Sequence, residues 1–203
     1  MENTLIESNI RSDPFDQFER WYSEVIENNI DSYNSMAVAT VDASGMPSVR
    51  FVLLKGFDRD GFVFYTNYTS EKAKELQNNP RACLAFYWKE IERQVRIWGR
   101  VEKVSRKESE EYFHSRPHGS QLGAWASRQS SIIPDRSVLE NRFEALQQKY
   151  PEGDGKVPLP DFWGGYRVRP DAFEFWQGRP SRMHDRIRYT KKGDSWEIVR
   201  LAP

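Results

Sequence analysis

Met36 to Thr66 reads MAVATVDASGMPSVRFVLLKGFDRDGFVFYT and holds three short β-forming runs separated by turn signals. Met36–Val41 and Ser48–Lys55 flank Asp42-Ala43-Ser44-Gly45, and Asp58-Arg59-Asp60-Gly61 leads into Gly61–Thr66. Branched and aromatic side chains pack well on a pleated surface, while Asp and Gly supply turns. The stretch therefore predicts antiparallel strands joined by tight connections.

The same reading extends in both directions. Upstream, Asp13-Pro14 is a helix start, with Asp as N-cap and Pro in the first turn. Phe15, Phe18, Trp21, Tyr22 and Val25 recur at helical spacing and predict an amphipathic helix from Pro14 to about Asn28. Downstream, Ser70 can cap a short helix that stops near Asn78-Asn79-Pro80, and Arg81–Trp88 and Gln94–Val104 read as strands. Helices are expected over Lys107–Phe113, Gln121–Ala126 and Val138–Lys149. Pro151–Pro160, with three prolines and two glycines, reads as a loop. Strands return at Tyr166–Arg169, Phe173–Gln177, Arg186–Tyr189 and Trp196–Leu201. The expected fold class is mainly β with added helices, an antiparallel barrel. Residues 1–12 are expected to be a short flexible segment before a single domain spanning 13–203.

Composition narrows the function. The 203 residues carry 30 Lys and Arg against 30 Asp and Glu, so no global field draws in nucleic acid or an acidic membrane. Any anionic ligand must be held by local clusters of cations. Hydrophobic residues are 38%, yet 14% are aromatic, so large rings must supply much of the core. The single cysteine, Cys83, cannot form an intrachain disulfide and is expected in the core. MENTLIESNIRSD lacks a basic start and an apolar run, and no apolar stretch approaches the roughly 20 residues of a membrane helix. The cytoplasm is the expected location.

Four places gather polar groups more densely than folding requires. In Arg50-Phe51-Val52-Leu53-Leu54-Lys55, alternation puts Arg50 and Lys55 on opposite faces if the strand is regular, serving two anions or simply reaching solvent. Tyr112, Arg116 and Ser120 share one face if the helix runs through Pro117, and a phenol, a guanidinium and a hydroxyl would suit a phosphate monoester; an ordinary helix end is the plain alternative. His114 and His118 lie nearby without a further ligand at zinc spacing. Gln129-Ser130-Ser131 reads alone as a polar loop. Trp176-Gln177-Gly178 precedes Arg182-Met183-His184-Asp185-Arg186, a charge cluster that is either solvated or built around a ligand. The chain has no glycine-rich dinucleotide motif, P-loop or Gly-x-Ser-x-Gly, which argues against nicotinamide enzymes, NTPases and common hydrolases.

Six blocks in order resemble the pyridoxine/pyridoxamine 5′-phosphate oxidase family: RFVLLKGF (50–57), GFVFYTNYTSEKAKEL (61–76), ERQVRIWGRVEKVS (92–105), YFHSRPHGSQLGAWASRQSS (112–131), VPLPDFWGGYRV (157–168) and EFWQGRPSRMHDR (174–186), followed by the ending RLAP. The resemblance covers about Asp13 to Pro203. It implies an FMN-binding split β-barrel working as a homodimer, with FMN in the subunit interface. It implies FMN contacts from Arg50, Phe51, Val52, Leu53, Leu54, Lys55, Tyr65, Thr66, Lys72, Gln94, Gln129, Ser130, Trp176 and Arg186. Substrate contacts are implied for Lys55, Tyr112, Arg116, Ser120, Arg182, Met183 and His184, with Arg182 and His184 the catalytic pair. The implied reaction oxidises pyridoxine or pyridoxamine 5′-phosphate to pyridoxal 5′-phosphate, with oxygen as acceptor.

Two departures stand out. The family usually has Ser-Arg-Lys where this chain has Ser70-Glu71-Lys72, so Glu71 is expected to turn outward and FMN to bind more weakly. The family's basic, Tyr-containing segment before the first helix is here short and acidic, so a lid from it is not expected. The competing readings are a flavin reductase or haem-handling relative, and a non-catalytic module that binds FMN or pyridoxal phosphate.

Overall fold

The computed structural model describes residues 5–203. Helix α1 (Pro14–Glu27) begins as its sequence dictates: Asp13 accepts from the Phe15 amide at 2.7 Å. Its apolar face, Phe15, Phe18, Trp21 and Val25, is buried. Strands β1 (Ser35–Val41) and β2 (Pro47–Leu53) pair antiparallel across a turn in which the Asp42 carboxylate accepts from the amides of Ser44 and Met46. Next come β3 (Gly56–Asp58), β4 (Gly61–Asn67), α2 (Glu71–Asn78), β5 (Arg81–Trp88) and β6 (Arg93–Lys103). Three helices follow, α3 (Arg106–Ser115), α4 (His118–Ala126) and α5 (Ser137–Lys149), then β7 (Trp163–Gln177), β8 (Asp185–Lys192) and β9 (Ser195–Arg200).

All nine described strands join one antiparallel sheet in the order β2-β1-β5-β6-β7-β4-β3, with β8 on β7 and β9 on β8. The sheet curls into a half-barrel because β7 is shared. Its first half pairs β4 at 163–168, its second half pairs β8 at 172–177, and β6 runs along both. The sequence suggested two strands broken at Pro170-Asp171. The strand continues because Pro170 lies between the two partner sets on one side, while β6 absorbs the irregularity on the other with a bulge at Trp98/Gly99.

The core is aromatic, as composition required. Phe18 has no exposed surface and meets Phe57, Phe62 and Phe86 at centroid distances of 4.9, 4.9 and 5.2 Å. Burying such a ring is worth about 2–3 kcal/mol. Arg93, 3% exposed, ties β6 to α1 by pairing with Glu24 and lying 4.5 Å over the Trp21 ring.

One expectation is corrected. Cys83 is not in the core: β5 alternates, with Ala82, Leu84 and Phe86 inward, which leaves Cys83 half-buried on the outer face. Of the segment expected to be flexible, residues 1–4 lie outside the described residues, while residues 5–12 make contacts with the domain. Leu5 is 2% exposed within the core, Arg200 bonds the Leu5 carbonyl and pairs with Glu7, and Tyr189 donates to the Arg11 carbonyl. No helix among the described residues is long and apolar enough to cross a membrane.

Candidate functional site

β2 stops at Leu53, and the chain turns before Lys55, whose amide bonds the Val63 carbonyl on β4. The strand is not regular through Lys55, and Arg50 and Lys55 line the same cleft of about 630 Å³ together with Thr66, Lys72, Gln129 and Ser130. Phe51, Val52, Leu53 and Tyr65 also face it. Leu54 does not, because its side chain, 3% exposed, belongs to the core.

Lys72 is the electrostatic centre of this cleft. It stands in the first turn of α2, 7% exposed, with Nζ donating to Gln129 Oε1 at 2.8 Å and Thr66 Oγ1 at 3.1 Å. No described carboxylate pairs with it. Burial, then the neighbouring Arg50, lowers its pKa to about 8. A buried ammonium satisfied only by neutral oxygens is a site short of an anion. Arg50 is the reverse case. Its guanidinium reaches Ser48 Oγ at 2.7 Å, Glu75 Oε2 at 3.1 Å and Thr40 Oγ1, so it is oriented and neutralised by its own chain. Glu71 is exposed and stands at the cleft rim.

Gln129 also lines a second cavity of about 270 Å³, with Asn67, Arg116, Ser120 and Trp163. The helix does not run through: as Pro117 signalled, α3 ends at Ser115 and α4 starts at His118, so Tyr112, Arg116 and Ser120 do not share one helix face. Arg116 is extended (φ −79°, ψ 151°), as a residue before proline must be. The break still brings Arg116 and Ser120 to one cavity. Arg116 lies 4.8 Å over the Trp163 ring, its Nη1 is buried without a hydrogen-bond partner, and burial lowers its pKa. Tyr112 stacks on Tyr65 at 3.9 Å, and Tyr65 on Trp163 at 5.5 Å, so three parallel rings form a wall. Lys55 stands 5.8 Å over Tyr112. Burial raises the Tyr65 phenol to about 12, so it is a neutral donor at physiological pH.

The remaining expected residues lie elsewhere. Gln94, Trp176 and Arg186 occupy facing positions on β6, β7 and β8, on the outer sheet face. Glu174, 1% exposed, holds Arg96, Arg186 and Arg188 together on that face. His184 packs against Trp176 at 4.7 Å. Arg182 and Met183 project from the loop between β7 and β8, with Arg182 in the left-handed region (φ 62°) and Met183 69% exposed. None of these residues lines either cavity described above. Motif reading missed Glu75, Trp163 and Glu174. Of these, Glu75 was findable, since it lies one helical turn beyond Lys72.

Two family models match the chain: pyridoxamine 5′-phosphate oxidase over residues 22–150, and the pyridoxine 5′-phosphate oxidase C-terminal dimerisation region over residues 163–203. A pyridoxine/pyridoxamine 5′-phosphate oxidase of Bordetella petrii is 53% identical over 203 residues, 100% of this chain and 95% of the relative. Among solved structures, PhzG of Burkholderia lata in complex with tetrahydrophenazine-1-carboxylic acid superposes with a TM-score of 0.92 at 27% identity, over 99% of this chain and 98% of that one. A pyridoxamine 5′-phosphate oxidase-related, FMN binding protein of Nostoc punctiforme shares the fold (TM-score 0.73, 16% identity, 94% and 98% covered).

Proposed function

Because the chain belongs to the pyridoxamine 5′-phosphate oxidase family, we propose that it is an FMN-dependent oxidase that converts pyridoxine or pyridoxamine 5′-phosphate to pyridoxal 5′-phosphate. The observation that carries this reading is a pair of cations, the buried Lys72 and the half-buried Arg116, in adjoining cavities that share Gln129; Glu71 stands only at the rim, and neither cation forms an ion pair with a described carboxylate. Two such sites side by side suit two phosphates, one on a flavin and one on a vitamer.

The donor set fits FMN. Lys72 and Thr66 suit its phosphate, and the apolar side chains of β2 give the ring a non-aqueous wall. When bound, FMN supplies hydride acceptance at N5 and return of both electrons to oxygen, giving hydrogen peroxide. The chain's own residues orient and desolvate. Arg116, held flat by Trp163, presents its unpaired Nη1 to the vitamer phosphate beside Ser120. Gripping a phosphate remote from the reacting carbon spends binding energy on alignment. Tyr65, Tyr112 and Trp163 form an aromatic wall, with Lys55 over the Tyr112 ring and Arg116 over the Trp163 ring. Trp176, Arg182 and His184 approach from a second copy of the chain. The outer sheet face that carries Trp176 also exposes Val49 (67%), Phe51 (77%) and Tyr87 (61%). These are the rings and branched side chains that a dimer interface buries.

The test is anaerobic mixing of the FMN-loaded protein with pyridoxine 5′-phosphate. Flavin absorption should bleach and should return on admitting oxygen. Binding without bleaching would turn the reading to a non-catalytic module. Bleaching by a tricyclic carboxylic acid but by neither vitamer would turn it to a PhzG-like oxidase.

A further inference from the structure

The loop from Gly178 to Asp185 fixes the histidine at its end more tightly than a surface loop requires. The Arg179 amide donates to His184 Nδ1 at 3.1 Å. A backbone N–H can only donate, so Nδ1 must accept, and the neutral ring then carries its proton on Nε2. The amide is itself held. Gly178, next to it, donates to the Glu92 carbonyl at 2.8 Å, and the Arg179 side chain pairs with Asp185 at 2.8 Å. The other Asp185 oxygen accepts from Arg200, also at 2.8 Å. Trp176 packs on one side of the imidazole. Ser181 and Arg182, both left-handed at φ 57° and 62°, turn the chain so that residues 179 and 184 meet. Two consecutive non-glycine residues in that region persist only where surroundings impose them.

We infer that His184 is fixed as the Nε2–H tautomer and works as a hydrogen-bond donor to an oxygen on the substrate's pyridine edge. It is not the base that takes the C4′ hydroxyl proton. Arg179 and Asp185 are the positioning residues that impose this. The inference rests on the reading of His184 as a substrate neighbour, but its structural half stands apart from that reading. To accept a proton at Nδ1, the ring would have to give up the Arg179 amide and face it with a second donor. To accept one at Nε2, it would first have to lose the proton already there.

Nitrogen NMR on the FMN-loaded protein, labelled in its three histidines, reads the tautomer directly, with His184 assigned by its loss in His184→Gln. A protonated Nε2 with a bare Nδ1 is expected; an Nδ1–H ring, or averaging between both forms, overturns the inference. In Asp185→Asn the second tautomer should appear; an unchanged spectrum removes Arg179 and Asp185 from the device. Flavin bleaching supplies the functional arm. His184→Gln keeps an N–H near the ε position and should retain most of the wild-type rate. His184→Phe should lose roughly ten- to a hundredfold, as expected for a donor to a partly charged oxygen. Equal collapse of both variants would mark a base and overturn the donor role. Failure of the wild type to bleach with either vitamer would sink the proposed substrate instead, leaving the tautomer measurement standing.

Discussion

Lys72 makes opposite demands on folding and on binding, and pH separates them. Its folded pKa is about 8 against an ordinary 10.5, because burial and Arg50 disfavour the charge. Between those values the unfolded chain binds more protons than the folded one, so stability of the flavin-free protein should rise with pH across that window. Phosphate binding needs the ammonium, so FMN affinity should fall as pH is raised above about 8. Thermal melts without flavin and flavin titrations over the same range check both slopes, and parallel falls would contradict the assignment. Lys72→Met should cancel both trends. It should weaken FMN roughly ten- to a hundredfold, the value of a charge-assisted hydrogen bond, while leaving riboflavin unchanged. Glu71 acts at the same rim from solvent. Glu71→Arg should tighten FMN severalfold, less at high salt, because an exposed charge is screened; no gain in affinity would show that Glu71 does not weaken the site. These two neighbours show what a sequence can convey. A cation beside an acid is visible in Glu71-Lys72, but which one is buried depends on the turn of α2 against Thr66 and Gln129, contacts made across 6 and 57 residues.

At the scale of elements, β7 decides the architecture and Gly99 lets it bend. A Cβ at Gly99 would collide with the main-chain carbonyl of Arg169, where β6 carries its bulge. Backbone cannot move aside as a flexible side chain can. Gly99→Ala should therefore destabilise by about 2–4 kcal/mol and lower the melting temperature by roughly 5–15 °C; Gly123→Ala, where the added methyl meets nothing, is the control. Equal melting temperatures would deny the bulge its role. The strands flanked by Asp-Gly turns, and the α1 stripe capped by Asp13, were legible because turn chemistry and periodicity are local. The continuity of β7 through Pro170 was not, because it depends on β6, some seventy residues earlier in the chain. The split between α3 and α4 was announced by Pro117. What the sequence could not convey is that breaking the helix there is what aims Arg116 at the cavity shared with Gln129.

Across the whole molecule, the candidate site is divided. Arg50, Lys72 and Arg116 belong to the cavities around β2, α2 and α4, while Gln94, Trp176 and Arg186 lie on the outer sheet face. No residue of the second group lines either cavity of the first. In the proposed dimer, a twofold axis would set each outer face against the other copy's cleft and so join the two groups. This geometry makes a test that needs no structure of the dimer. Arg116→Ala and Arg182→Ala should each be nearly inactive alone. After subunit exchange at equal concentrations, about half of the dimers are mixed, and each mixed dimer regains one intact site of its two, so roughly a quarter of wild-type activity should return. If both residues served a site within one protomer, mixing would restore nothing. The recovery should also vanish if Phe51→Asp is added to both variants, because a charge on that exposed strand would keep the copies apart.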